Sequence, residues 1–72
     1  MQDNKIFQEI YKNEKDGKLY VIILKNSVLE KKYRTNTMLM LLRKQGYYLS
    51  RATYYRRRKK AEELYNQIKR TD

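Results

Sequence analysis

The stretch that most constrains this chain is residues 38–60, where an apolar segment, a glycine and an arginine-rich segment follow one another. Gly46 stands where a residue in the left-handed conformation would end a helix. Ser50, four residues later, is a good N-cap for a second helix. No glycine or proline follows Ser50, so we expect this second helix to cover residues 51–69. The pattern predicts two helices joined by a short turn.

The first of these helices is apolar on nearly every side over residues 38–42. A helix of this kind packs between other helices or meets another subunit. Thr35, Asn36 and Thr37 all have N-cap chemistry, so we expect the helix to begin near Asn36 or Thr37. In the turn that follows, Leu49 is expected to point inward.

The last helix has one apolar stripe when it is projected at about 100° per residue. We expect that stripe to be buried, and it contains Tyr54, Ala61, Leu64, Tyr65 and Ile68. Most of the basic side chains fall on its flank and back, where they can face solvent or a polyanion. The spacing also predicts a Glu62–Arg58 ion pair and a pair between Glu63 and Lys59 or Lys60.

The N-terminal half is less clearly patterned. Residues 3–13 favour a helix, with Ile6, Phe7, Ile10 and Tyr11 on one face. Residues 18–33 fit either one helix of about four turns or, because they are rich in β-branched side chains, a strand that pairs with the first segment before a helix. We favour the helix, since two isolated strands are marginal in water. The sequence thus predicts a mainly α domain of three to four helices, with a short N-terminal β-hairpin as the alternative.

Composition limits the classes of function. The chain has 72 residues, no cysteine and no histidine, so disulfides and thiolate or imidazole metal sites are excluded. No glycine-rich phosphate loop and no recognisable acidic cluster is present, which argues against an enzyme and predicts neither a cofactor nor a metal. The longest apolar run has six residues against about 20 needed to cross a bilayer. We expect a soluble cytoplasmic protein without a signal peptide or membrane partner.

The net charge is +10, and its distribution is more informative than its size. No acidic residue occurs between Glu30 and Glu62, whereas residues 31–61 contain eleven lysines and arginines. A segregated positive field attracts polyanions, and neutralisation of phosphates with counterion release is its usual role. Nucleic-acid binding is therefore favoured over a merely solubilising surface.

Residues 46–56, GYYLSRATYYR, resemble the signature G-x-x-(V/L)-S-x-x-T-(V/Y)-x-R of helix-turn-helix regions in transposases, arginine-repressor-like proteins and phage regulators. Residues 49–64 look like the end of small phage or mobile-element regulators with winged or sigma-factor region-4-like folds. The resemblance implies one helix-turn-helix domain over residues 1–72, with the motif at residues 36–69. Two features depart from it: three residues separate Gly46 from Ser50, and Arg57 occupies an expected core position.

The resemblance implies that helix 51–69 enters the major groove of double-stranded DNA as part of a small transcriptional regulator. The side chains expected to contact bases are Arg51, Ala52, Thr53, Tyr55 and Arg56. Those expected to contact phosphates are Ser50, Arg34, Arg43, Lys44, Arg57, Lys59 and Lys60.

A single motif of this size reads few base pairs, so we expect a homodimer that associates with the nucleoid when it is bound. Its candidate dimer surfaces are the stripe at residues 61–68 and the N-terminal segment with residues 19–24. The alternative is a modulator or inhibitor that docks on a protein partner through its basic helix. A third class is an RNA-binding protein that uses the same helix.

Overall fold

The computed structural model describes residues 2–71, and in that part of the chain all regular structure is helical. The elements are α1 (Gln2–Asn13), α2 (Gly17–Ile23), a π-helical continuation of α2 (Leu24–Leu29), α3 (Thr35–Lys44) and α4 (Arg51–Thr71). This confirms the prediction of a mainly α domain with three to four helices. Residues 2–71 contain no strand, so the N-terminal hairpin is not what the chain forms.

Residues 17–29 form one continuous helical segment, which confirms the favoured helix, although it ends four residues before the predicted end at residue 33. The β-branched side chains that suggested a strand, Val21 and Ile23, are instead buried among the other helices. Tertiary packing therefore overrides their local preference for extended structure. The last six residues widen into a π-helix, in which the Glu30 N–H donates to the Lys25 carbonyl oxygen at 3.0 Å.

One hydrophobic cluster joins α1, the α2 segment and the second half of α4. Its buried members are Ile6, Phe7, Ile10, Tyr20, Val21, Leu24, Ala61 and Tyr65, and Leu64 and Ile68 pack at its edge. The predicted stripe of α4 is thus confirmed as core. Tyr11, predicted on the same α1 face, is instead 45% exposed because α1 buries only a narrow stripe.

A second cluster joins α2, α3 and the first turns of α4, and it packs together the two helices on either side of the turn. It consists of Leu19, Ile23, Met38, Leu42 and Tyr54, with Leu39, Tyr47 and Leu49 packed against it. α3 and α4 therefore share a three-helix core with α2. The inward direction expected for Leu49 is confirmed.

The two clusters also correct the expected dimer surfaces. Residues 61–68 and 19–24 were expected to meet a second subunit, but their buried side chains pack within one chain, in the two clusters. A 72-residue chain without disulfides needs both surfaces for its own core. The buried side chains of these two surfaces are therefore used within the chain itself.

Candidate nucleic-acid interface

The turn between α3 and α4 is fixed by backbone hydrogen bonds around Gly46. Gly46 has a φ of +94°, which confirms the predicted left-handed end of α3. Its N–H donates to the Arg43 carbonyl oxygen at 3.0 Å, and the Tyr47 N–H donates to the Leu42 carbonyl oxygen at 2.9 Å. These two bonds form a Schellman motif, which sets the direction in which the chain leaves α3.

The three residues between this motif and Ser50 alternate in burial. Tyr47 and Leu49 pack against the second cluster, whereas Tyr48 is 75% exposed. Tyr47 therefore packs in the core, and Tyr48 does not. The longer turn thus uses two side chains to anchor it and directs the third into solvent.

Ser50 caps α4, as the sequence predicted. Its Oγ accepts a hydrogen bond from the Thr53 N–H at 3.2 Å and donates to Thr53 Oγ1 at 2.9 Å. The Tyr54 N–H donates to the Ser50 carbonyl oxygen at 2.9 Å, which closes the first helical turn. These bonds fix the start of α4 relative to the turn. The expected contact between Ser50 and a phosphate remains a prediction.

The five residues expected to contact bases lie in the first two turns of α4. Arg51, Ala52, Tyr55 and Arg56 are exposed, and Tyr55 retains 49% of its surface. Thr53 is half-buried, and its Oγ1 accepts a hydrogen bond from Arg56 Nη2 at 3.2 Å. Arg51 and Tyr55 lie on the side of α4 that contacts α3, whereas Thr53 and Arg56 line a cleft with Tyr20 of α2. The five side chains therefore share the surface around the start of α4.

The N-terminus of α3 holds part of this surface through side-chain contacts. Asn36 Oδ1 accepts a hydrogen bond from Arg51 Nη2, and Thr35 Oγ1 donates to the Tyr55 hydroxyl at 3.3 Å. The Thr35 bond, together with one from Arg51, lowers the pKa of Tyr55. Asn36 and Thr35 were therefore missed as site residues, because their polar chemistry was interpreted as helix capping.

The expected caps of α3 are corrected by the same contacts. The helix begins at Thr35, one residue earlier than predicted, and Arg34 takes the N-cap position without a side-chain cap bond. Thr35 and Asn36 lie inside the first turn, where their side chains reach α4 instead of the α3 backbone. Long-range bonds to α4 thus replace the local capping bonds that the sequence suggested.

Four of the expected phosphate contacts, Arg34, Arg43, Lys44 and Lys59, are exposed and form no ion pair within the described part of the chain. They leave positive charge available on both α3 and α4. Their role as phosphate contacts remains a prediction.

The other two cations, Arg57 and Lys60, are engaged with the turn between α1 and α2. Arg57 Nη1 donates to the Tyr20 hydroxyl at 2.8 Å and to Asp16 Oδ2 at 3.0 Å. The bond to Tyr20, with the Asp16 carboxylate, raises the pKa of Arg57. Lys60 Nζ lies 3.8 Å from Glu14 Oε1. Nothing in the sequence indicated these partners, which lie more than 35 positions away.

Arg57 therefore fills its core-like position as a polar anchor over the buried ring of Tyr20, which explains the departure from the helix-turn-helix pattern. The predicted pair of Arg58 and Glu62 is confirmed, with Nε and Oε1 3.4 Å apart. Lys60, by contrast, pairs with Glu14 and not with an acid of its own helix.

No family model, curated protein or solved structure matches this chain. None of the helices in residues 2–71 is long and apolar enough to cross a membrane. The His, Cys, Asp and Glu side chains of the described residues form no group that could hold a metal ion.

Proposed function

We propose that this protein binds double-stranded DNA sequence-specifically and acts as a small transcriptional regulator, with the start of α4 in the major groove. The observation that supports this most is the exposed group at the start of α4, Arg51, Ala52, Tyr55 and Arg56. Hydrogen bonds from α3 hold Arg51 and Tyr55 in place. A preorganised set of side chains loses less conformational entropy when it binds.

The chemistry of this group suits base edges. An arginine can donate two hydrogen bonds to O6 and N7 of guanine, and the methyl groups of Ala52 and Thr53 can contact the methyl of thymine. Asn36 and Tyr55 both accept hydrogen bonds from Arg51, and the guanidinium has five N–H groups, so donors remain for a base. Each arginine of the pair, Arg51 and Arg56, is proposed to contact a guanine.

The phosphate contacts would come from both helices of the motif. Arg34, Arg43 and Lys44 belong to α3 or its N-cap, and Lys59 belongs to α4. Residues 31–61 contain no acid, so no carboxylate of that segment opposes a phosphate there. These contacts would set orientation without reading sequence.

A dimer on DNA would need a surface other than the two that the core consumes. The largest exposed apolar side chain on α3 is Met40, which is 63% exposed. It lies in a shallow groove of about 410 Å³ that is lined by Tyr33, Thr37, Met40, Leu41 and Lys44. With a net charge of +10 per chain, two copies repel each other in free solution, so we place their association on DNA, where phosphates neutralise the charge.

The proposal is tested by the double variant Arg51→Ala/Arg56→Ala, measured by fluorescence anisotropy on duplexes selected by the wild-type protein. Loss of one bidentate contact costs about 1–3 kcal/mol, or about 5- to 150-fold in affinity. We expect at least that loss on the selected duplex and a much smaller one on unrelated duplex. Lys5→Ala/Lys12→Ala, a change of two exposed lysines on α1, is the control for removal of two positive charges.

Equal affinity of the double variant and the wild type for the selected duplex would refute the assignment of α4 as the recognition helix. Failure of the wild type to bind any duplex at low salt would refute DNA binding itself. Tighter binding to structured RNA than to duplex would favour the RNA-binding class, and recovery of a protein partner would favour the modulator.

A further inference from the structure

A small cleft between the first half of α4 and α2 has the chemistry of an anion site. Its lining consists of Tyr20, Thr53, Arg56, Arg57 and Lys60, and its volume is about 260 Å³. Three of these residues are cations, the other two carry hydroxyl groups, and none is acidic. The volume is several times the share of a single water molecule, about 30 Å³, so an anion and its hydration fit.

Two carboxylates of the α1–α2 turn are bound at the edge of this cleft. Asp16 Oδ2 lies 3.0 Å from Arg57 Nη1, and Glu14 Oε1 lies 3.8 Å from Lys60 Nζ. Both cations also lie over the ring of Tyr20, at 5.8 Å and 5.7 Å from its centroid. The cleft therefore already gathers oxygen anions, which are supplied by the chain itself.

Replacement of the Asp16 carboxylate on Arg57 by another anion costs little free energy. The two side chains keep 44% and 37% of their surface in solvent, respectively, and ion pairs this exposed contribute little to stability. A phosphate offers more acceptor oxygens than a carboxylate and accepts two parallel bonds from a guanidinium. Arg57 has five N–H groups and uses only Nη1 in its present bonds, so it can take up a phosphate as Asp16 leaves.

We infer that this cleft is a phosphate-binding site, that its cations Arg57 and Lys60 pair with Asp16 and Glu14 in the free protein, and that a phosphate ester displaces these two carboxylates. The inference rests on the proposed function for the source of that phosphate, a DNA backbone phosphate next to the bases that Arg56 contacts. The two acids therefore lower the affinity of the free protein for DNA. Their removal makes binding tighter.

The first test compares two variants with the same net charge, Asp16→Asn and Glu9→Gln. Asp16 is the N-cap of α2 but makes no side-chain cap bond, so asparagine leaves the helix start unchanged. Glu9 lies on α1, and within the described residues its side chain bonds only to that of Asn13, with Nδ2 and Oε2 3.0 Å apart. We expect Asp16→Asn to bind duplex DNA about two- to five-fold more tightly than Glu9→Gln does at the same salt, the range given by loss of one exposed ion pair. Equal affinities would overturn the inference.

The second test adds Arg57→Gln in the wild-type and Asp16→Asn backgrounds, with thermal melting to check folding. We expect Arg57→Gln to lower the affinity for DNA more in the Asp16→Asn background than in the wild type. We also expect the slope of log K against log salt to fall in magnitude by about one. Arg57→Lys keeps the charge and is expected to retain part of the affinity, so it replaces Arg57→Gln if that variant does not fold. Equal losses in the two backgrounds would contradict exchange between Asp16 and phosphate.

A titration with pyrophosphate, followed by NMR of the cleft residues, separates the two sources of phosphate. In one outcome the wild-type protein binds no DNA, the Asp16→Asn variant binds pyrophosphate, and Arg57→Gln abolishes that pyrophosphate binding. This outcome would support a site for a free phosphorylated ligand and would refute the proposed function. If the wild-type protein binds DNA but Asp16→Asn alters neither DNA binding nor pyrophosphate binding, the phosphate site is refuted and the proposed function is retained.

Discussion

Replacement of Tyr54 by phenylalanine tests how α4 is held on the core. The Tyr54 hydroxyl donates to Ser27 Oγ at 2.9 Å, and both residues are buried, with 0% and 5% exposure. This bond joins the first turn of α4 to the π-helical segment. Removal of either hydroxyl leaves its buried partner without this hydrogen bond, at a cost of about 1–2 kcal/mol. For a domain of this size that is a fall in Tm of about 4–16 °C.

The assay is a double-mutant cycle of Tyr54→Phe and Ser27→Ala, measured by urea and thermal unfolding. Once one hydroxyl is absent, removal of the other costs little, so we expect a coupling energy of about 1 kcal/mol. Tyr11→Phe is the matched control, because Tyr11 is 45% exposed, and its change is expected to stay within about 0.5 kcal/mol. Additive single changes, or a Tyr54→Phe change no larger than the control, would refute the importance of this bond.

Three further predictions concern stability and assembly. Gly46→Ala should lower the free energy of unfolding by about 1–2 kcal/mol, because φ is +94°, although no atom lies near the added Cβ. Gly17→Ala should lower it more, because the added Cβ would lie 2.6 Å from the Ile10 carbonyl oxygen. Thermal melting would compare the two variants. The Asp3 carboxylate raises the pKa of Tyr65 above 10.0, so this pair should contribute stability below pH 10 that is lost as pH rises through the raised pKa. Melting curves from about pH 8 to about pH 11 should show a smaller alkaline loss for Asp3→Asn than for wild type. Met40→Glu should weaken cooperative binding to a two-half-site duplex without lowering Tm, and unchanged cooperativity would exclude the α3 groove as the dimer surface.

The parts of the fold that were predictable have local causes. Gly46 ends α3 and Ser50 caps α4 because each residue solves a backbone problem within a few positions of itself. The buried stripe of α4 was equally predictable from the sequence, since its period of 3.6 residues reflects the geometry of the helix. These signals located α3, α4 and the turn between them without knowledge of the rest of the chain.

The parts that were not predictable depend on contacts between distant segments. The ring of Tyr20 and the carboxylate of Asp16 meet Arg57 only after α2 packs on α4. Asn36 has the same polar chemistry whether it caps α3 or binds Arg51, so sequence alone could not choose. The two surfaces expected to form a dimer were assigned wrongly for the same reason. The sequence of an apolar stripe does not indicate whether the surface that covers it belongs to the same chain.

Selection of bound sequences from random duplex DNA at moderate salt tests the central claim most directly. We expect a palindromic consensus with guanines in each half-site, and half-sites about 10 base pairs apart or a multiple of that spacing. Parallel selection with Arg51→Ala/Arg56→Ala should lose enrichment at the guanines. A wild-type pool without enrichment, or an unchanged consensus for the double variant, would contradict sequence-specific recognition by α4.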